Sequence, residues 1–261
     1  MKAIILAAGK GLRLNGSSRG RPKCLIEIGG VSLIERQIWS IRNMGIRDVT
    51  VVVGFEADSV REACGGSVRY VVNDIFDRTN SLYSLWLARE VMKEGFVVLN
   101  SDVLFHPQLL GDLLAARAED ALLVSFNSNG QEMGAEEMKV KAREGLVEMM
   151  TKDMDPKEAD GENVGIAKFG AEGAAALIDI MDGLIDRGAL LEWAPRAFLE
   201  FSRTRPLHAV STRGYPWIEI DFPEDYRRAV EQIMPRLTNS TGDLEHADAL
   251  PHLPFFSPLS A

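Results

Sequence analysis

The first eleven residues narrow the fold most. Ala3-Ile4-Ile5-Leu6 is apolar at every position and runs straight into Ala7-Ala8-Gly9-Lys10-Gly11. An unbroken apolar run reads as a strand buried on both faces, as the parallel strands of an α/β sheet are. A glycine-rich loop at its carboxyl end can turn backbone amides towards an anion, because glycine accepts φ > 0 and brings no side chain. From Lys10 to Lys23 the segment holds five basic residues, Lys10, Arg13, Arg19, Arg21 and Lys23, and no acidic one, in a chain whose formal net charge is −9. Basic residues therefore gather where a polyphosphate would sit. The competing reading is a solvated loop with scattered charges; the agreement of strand, glycines and charge speaks against it.

The loop is neither of the two common nucleotide loops. Gly11 and Gly16 have the P-loop spacing, but Ser17 stands where lysine is required. Gly9 and Gly11 fit a dinucleotide fingerprint, but Leu14 occupies its third glycine position. What Leu6-Ala7-Ala8-Gly9-Lys10-Gly11-Leu12-Arg13-Leu14 with Pro22-Lys23 does resemble is the signature of the nucleotidyltransferase (sugar-nucleotide pyrophosphorylase-like) superfamily, L-A-A-G-x-G-x-R-L followed by P-K. The resemblance implies that Leu6, Ala7, Ala8, Gly9 and Gly11 wrap the nucleotide, and that Arg13 and Lys23 counter phosphate charge as catalytic residues.

The chain then alternates helix and strand. Leu33 to Asn43 carries Leu33, Ile34, Ile38 and Ile41 at the spacing of an amphipathic helix, with Gly45 as its stop. Val49 to Val53 is a second buried strand, Ala57 to Cys64 a helix closed by Gly65-Gly66, and Val68 to Val72 a third strand. This βαβαβ rhythm predicts right-handed crossovers, with ligands beyond the carboxyl ends of the strands. The expected fold class is α/β: a single Rossmann-like (GT-A-like), mostly parallel sheet with flanking helices and a small β-rich acceptor-binding insertion at about 127–165. One domain is expected over 1–235, with a helix from Pro223 ended by Pro235. Residues 236–261, which lack periodicity, are expected to form a flexible tail.

Beyond the third strand, Asn73 to Trp86 is polar and opens a helix at Asn80 or Ser81. This stretch resembles a motif of cytidylyltransferases acting on phosphocholine, 2-aminoethylphosphonate and related small phospho-amino compounds. The resemblance implies CTP, with Asn73, Thr79, Asn80 and Ser81 at the nucleotide or the second substrate. A fourth strand, Gly95 to Leu99, ends in Asn100-Ser101-Asp102. A carboxylate held just past a buried strand calls for a metal or a basic partner. The family places its metal ligand at Asp102, beside Ser101 at the nucleotide. In Tyr215-Pro216-Trp217-Ile218-Glu219-Ile220-Asp221, strand alternation puts Glu219 and Asp221 on one face. The W-x-E-x-D pattern resembles the superfamily's second metal-binding strand, with Asp221 as ligand and Mg²⁺ as the ion. Lys152 matches the family's lysine for the acceptor phosphate in chain order, with Lys139 and Lys141 as rivals.

These pieces describe attack of a phosphate or phosphonate oxygen on the α-phosphorus of a nucleoside triphosphate, with pyrophosphate leaving. A quaternary ammonium on the acceptor would want aromatic rings, for which Tyr83, Trp86, Trp193, Tyr215 and Trp217 are available. A primary amine would want Glu162 or Glu219. A sugar 1-phosphate with another nucleotide stays open as the acceptor pair. Two other classes stand beside this one. A metal-dependent glycosyltransferase of similar sheet architecture would not need Arg13 and Lys23, and a silent nucleotide-binding module would not need all of Arg13, Lys23, Asp102 and Asp221.

Net acidity excludes a general nucleic-acid binder, which needs a basic face. The two cysteines, Cys24 and Cys64, are not spaced as a metal site or redox pair. With no apolar run of ~18 residues and no signal peptide, the expected setting is the cytoplasm, away from membranes. A homodimer is left open.

Overall fold

The computed structural model describes residues 1–11, 20–127, 134 and 136–239. Arg13, Arg19 and the tail from residue 240 lie outside them. The elements run in the order β1 (Lys2–Ala7), β2 (Glu27–Ile28), β3 (Val31–Ser32), α1 (Leu33–Asn43), β4 (Val49–Val53), α2 (Ala57–Cys64), β5 (Arg69–Val72), α3 (Ser81–Leu87), α4 (Arg89–Met92), β6 (Phe96–Asn100), β7 (Val103–Phe105) and α5 (Pro107–Ala115). There follow β8 (Ala121–Phe126), β9 (Lys139–Arg143), β10 (Leu146–Thr151), β11 (Gly161–Phe169), α6 (Ala171–Asp186), α7 (Ala194–Ser202), β12 (His208–Ser211), β13 (Trp217–Glu219), α8 (Pro223–Arg228) and α9 (Met234–Asn239).

The apolar run at the amino terminus makes the central strand for a simple reason. In β1 the side chains of Ala3, Ile5 and Ala7 enter one buried cluster and those of Ile4 and Leu6 another, so both faces need cover. The first cluster packs under α1, α2 and α5, the second under α3, α4, α6 and α7. Each fully buried Ile or Leu stabilises this three-layer arrangement by about 1.5–3 kcal/mol. Local signals fix the element ends. Ser32 and Glu35 form a reciprocal capping box at the start of α1, and Gly45 follows its end at φ 81°.

Among the described residues one sheet has the order β5-β4-β1-β6-β11-β8-β12-β10-β9. The pairs β5–β4, β4–β1 and β1–β6 are parallel, as the βαβαβ rhythm predicts. Beyond β6 the pairing turns antiparallel, apart from β12 beside β8, so the sheet as a whole is mixed. The reason is connectivity: β9 and β10 form a hairpin and β11 returns beside β8, leaving no helical crossover to impose a parallel direction. The start of β11 also pairs with β9, through Gly161–Val140 and Glu162–Lys139. Strands β11, β8, β12, β10 and β9 thus close into a ring.

A third, smaller core joins β2, β7 and β13 to the helices at the carboxyl end, with Ile28, Leu104, Ile218, Ile220 and Ile233 buried in it. Here the expectation for Pro235 fails: the helix does not stop but runs on to Asn239. A π-helical turn over Ala229–Ile233 lets the amide of Met234 reach the carbonyl of Ala229, and Pro235 falls at the start of a new helical segment, where its missing N–H costs little. No helix among the described residues is long and apolar enough to cross a membrane.

Candidate active site

A cleft of about 420 Å³ opens where the carboxyl ends of β1 and β6 meet the loops after β5 and β13. Such a crevice is where a parallel sheet offers backbone groups to a ligand. Its floor is the glycine loop, Leu6, Ala7, Ala8, Gly9 and Gly11. The loop is pinned from below, since the amide of Phe55 donates to the carbonyl of Ala8 at 3.0 Å. Gly11 sits at φ 61°, and a Cβ there would lie 2.5 Å from Cγ of Lys23. Glycine at this position thus both makes the turn and leaves room for the lysine stem.

The structure brings Lys23, Asp102 and Asp221 together, although Lys23 and Asp221 stand 198 positions apart in sequence. The Lys23 ammonium donates to Asp102 Oδ2 at 3.2 Å and to Asp221 Oδ1. Burial alone would lower the Lys23 pKa; the carboxylates of Asp102 and Asp221 outweigh it and hold the pKa above its ordinary value. Asp102, Glu219 and Asp221 present one oxygen each within 4.8 Å of one another. Burial, then the charges of Asp102 and Asp221, push Glu219 well above the usual carboxylate range. Asp102 Oδ1 is buried and accepts no hydrogen bond. Three crowded carboxylates with an orphaned oxygen, and a lysine already supplying positive charge between two of them, fit a divalent cation with oxygen ligands.

The turn that presents Asp102 is held from beneath by a residue the sequence reading passed over. Gln37, 1% exposed on α1, donates from Nε2 to the carbonyls of both Asn100 and Val103 at 2.9 Å. Its signal was a polar side chain on the apolar stripe of an amphipathic helix. Lys10 and Phe76 also line the cleft, the ammonium 5.4 Å from the ring centroid.

The wall formed by Asn73 to Ser84 divides into framework and surface. Asn73 is buried, and its amide donates to Thr79 Oγ1 at 2.9 Å and Ser84 Oγ at 3.1 Å while its Oδ1 accepts from the amide of Ile75. With those bonds made, it shapes the loop. Asn80 caps α3, accepting from the Ser81 amide, and Ser81 Oγ accepts from the Ala194 amide at 2.8 Å, tying α3 to α7. Thr79, Asn80, Ser81 and Ser101 all face the cleft. Cys24 is buried at its edge, where burial pushes the thiol pKa up and keeps it protonated.

Lys152 reaches the cleft from the far wall. Its ammonium lies 4.8 Å from the ring centroid of Trp193 and 3.5 Å from Glu136. Of its rivals, Lys141 is exposed and Lys139 is buried within the sheet. A second hollow of about 250 Å³ adjoins the first and shares Glu219 and Asp221 with it. Glu162 and Trp217 line this hollow together with Glu137, Phe222, Asp225 and Arg228. Burial, then the charge of Glu137, raises the Glu162 pKa to about 7 against the pull of Arg228 and Lys139. Tyr83, expected at the acceptor, lines neither hollow and stacks instead on Trp86, 5.4 Å between centroids. Its helical position turns it along the surface of α3, away from the cleft that Ser81 and Ser84 face.

The chain as a whole is similar to known proteins. The profile of the MobA-like NTP transferase domain matches residues 3–218. A choline-phosphate cytidylyltransferase of Streptococcus pneumoniae is 26% identical over 240 residues, covering 88% of this chain and 97% of that one. A CMP-5'-(3-aminopropyl)phosphonate synthase of Streptomyces rubellomurinus is 36% identical over 130 residues, which is 48% of this chain and 21% of the relative's length. Among solved structures, the CTP:phosphocholine cytidylyltransferase of S. pneumoniae superposes with a TM-score of 0.71 at 24% identity, over 88% of this chain and 97% of that one. The inositol-1-phosphate CTP transferase of T. maritima gives 0.74 at 20% identity, over 91% and 96%. The family match spans most of the chain, and the relatives and the fold are those of cytidylyltransferase-like nucleotidyltransferases; the chain belongs to the family of MobA-like NTP transferase domains.

Proposed function

We propose that the protein transfers the CMP moiety of CTP to a small phosphate or phosphonate that also bears an amine, releasing pyrophosphate. The observation that carries this is the placement of Lys23 between Asp102 and Asp221, with Lys152 facing it across the same cleft. An acceptor oxygen forms a bond to the α-phosphorus while the bond to the departing pyrophosphate breaks. Both reactants are anions, so positioning and charge neutralisation supply most of the catalysis. The nucleophile needs no strong base, because a phosphate monoester with its second pKa near 6 is largely ionised at neutral pH.

Each residue has a share in this. Lys23, with Arg13 of the loop signature, counters charge on the triphosphate and on the leaving pyrophosphate. The amides of Ala8 to Gly11 cradle the nucleotide, with Thr79, Asn80, Ser81 and Ser101 beside it. Asp102 and Asp221 would hold Mg²⁺, which when bound neutralises phosphate charge. Lys152 takes the acceptor's phosphate or phosphonate. The neighbouring acidic hollow, with Glu162, Glu219 and Trp217, suits the cationic end of the acceptor. The activities named for the S. pneumoniae and S. rubellomurinus relatives support both CTP and an amine-bearing acceptor.

The test is pyrophosphate release with Mg²⁺, each of the four nucleoside triphosphates, and phosphocholine, phosphoethanolamine, 2-aminoethylphosphonate or a sugar 1-phosphate. CTP with one of the amines is the expected pair. Turnover only with a sugar 1-phosphate and another nucleotide would overturn the substrate assignment. No release with any pair would overturn the reaction.

A further inference from the structure

Lys139 is 1% exposed, which is unusual for an ammonium, since removing one from water is costly unless it is paired. Its Nζ donates to the main-chain carbonyl of Lys152 at 2.8 Å. In the sheet it stands between Thr151 of β10 and Glu162 of β11, its cross-strand partners on either side. Directly paired residues share a face, so the Lys139 side chain rises beside that of Glu162. Lys168, the other buried lysine, shows what a structural role looks like here. It is 4% exposed and donates to the carbonyls of Ala116 at 2.8 Å and Leu114 at 3.3 Å, closing the carboxyl end of α5. Lys139 closes no helix. The carbonyl it takes belongs to the residue that reaches into the cleft, and the carboxylate beside it opens into the adjoining hollow.

We propose that Lys139 is a positioning residue for the acceptor: by holding the backbone of Lys152 on one side and facing Glu162 on the other, it fixes the spacing between the group that takes the acceptor's anionic end and the group that takes its cationic end. This rests on the reading of Lys152 and Glu162 as the two ends of the acceptor site. Lys139 touches neither substrate. The ladder between β9 and β10 ends at the Thr151–Lys139 pair, so the Lys139 side chain is what carries the hold one residue further, to the Lys152 carbonyl.

The variants are Lys139→Met, which keeps the length and deletes the donor and the charge, and Lys139→Arg, which keeps both. Initial rates are measured with CTP and 2-aminoethylphosphonate, and with ethylphosphonate, which lacks the amine. The expected result for Lys139→Met is an acceptor KM raised about tenfold with the CTP KM within about twofold of wild type, the loss of roughly one good hydrogen bond's worth of positioning. Its preference for 2-aminoethylphosphonate over ethylphosphonate should shrink, and Lys139→Arg should restore part of it. In the Lys152→Ala background Lys139→Met should add little, because the two act through one group. A merely structural lysine would instead raise both KM values together and add its full effect to Lys152→Ala, and either result overturns the proposal.

A second measurement does not depend on turnover. Protein labelled with 15N-tryptophan gives four indole signals, one for each tryptophan, and Trp193→Phe identifies that of Trp193. Because the Lys152 ammonium lies over the Trp193 ring, Lys139→Met should move this signal in the direction that Lys152→Met moves it. A Trp193 signal left in place by Lys139→Met overturns the proposal even if wild type releases no pyrophosphate. In that event the reaction assignment fails separately, on the wild-type assay alone.

Discussion

Replacing Gln37 by methionine tests how the Asp102 turn is supported. The two side chains are nearly the same length, so packing on α1 is kept while both N–H donors disappear. Two carbonyls, the part-buried one of Asn100 and the buried one of Val103, lose their side-chain donor. Each buried acceptor left without a partner costs about 1–3 kcal/mol. Gln37 Oε1 is itself buried without a partner, so deleting it returns the cost of one such atom. Two losses against one gain leave a net destabilisation of about 2 kcal/mol. For a chain of this length that lowers Tm by about 4–8 °C, which scanning calorimetry resolves. Gln37→Glu should be worse at neutral pH, because a carboxylate then faces two carbonyl oxygens and must take up a proton to make even one bond. In pyrophosphate release, Gln37→Met should require more Mg²⁺ for half-maximal rate while the CTP KM stays near wild type. A Tm equal to wild type for Gln37→Met, or equal stability of the methionine and glutamate variants at pH 7, would refute the reasoning.

Four shorter predictions stand beside it. Lys23→Met should lower kcat on the order of 10³-fold in steady-state assays, and Mg²⁺ should raise its Tm more than it raises that of wild type, since three carboxylates then face one another with no ammonium between them. Gly11→Ala should depress kcat while far-ultraviolet circular dichroism stays native, because its Cβ would displace the Lys23 stem. Glu162, raised to about 7, should make kcat/KM for 2-aminoethylphosphonate climb with pH through about 7, a rise that Glu162→Gln flattens and ethylphosphonate does not show. The sign for stability is the reverse: an acid with a raised folded pKa costs the fold nothing below pH 4.5 and progressively more up to about 7, so Glu162→Gln should gain in Tm at pH 8 and not at pH 4. His106 caps α5 by accepting from the Gln108 amide, and burial lowers its pKa, so its contribution is complete above pH 6.5 and is lost as the pH falls below that; His106→Asn should keep a cap and lose this acid-side decline in a thermal melt series.

The parallel half of the fold was legible because its signals are local. An apolar run, a glycine loop, a capping box and a stop glycine each act within a few residues, and the sheet's handedness then brings their carboxyl ends into one crevice. Lys23, Asp102 and Asp221 were named together from the family resemblance, and Asp221 follows β13, which lies outside the parallel half. The antiparallel half was less legible, since a strand's own periodicity does not say which neighbour it pairs with. β11 shows this: its partners β6, β8 and β9 come from three parts of the chain. Tyr83 was misplaced because a helix start was readable and its rotation about the axis was not. Pro235 was read as a stop because a π-helical turn leaves no mark in the sequence. Gln37 escaped notice, and Lys139 was weighed only as a rival of Lys152 for the acceptor's anionic end, for a shared reason: each bonds backbone carbonyls, which every residue owns, so no sequence pattern names the partner.

The ring closed by β9 has a consequence for motion. A hairpin at the margin of a sheet ordinarily frays, and its amides exchange with solvent far faster than those of the core. β9 is held on both sides, by β10 and by the start of β11, so it can open only by parting two ladders at once. The amide of Asp160 donates to the carbonyl of Val140 and that of Asn163 to the carbonyl of Met138, adding rungs at the joint. The wall that carries Lys152 therefore behaves kinetically as interior, although it is the last strand pair in the order of the sheet.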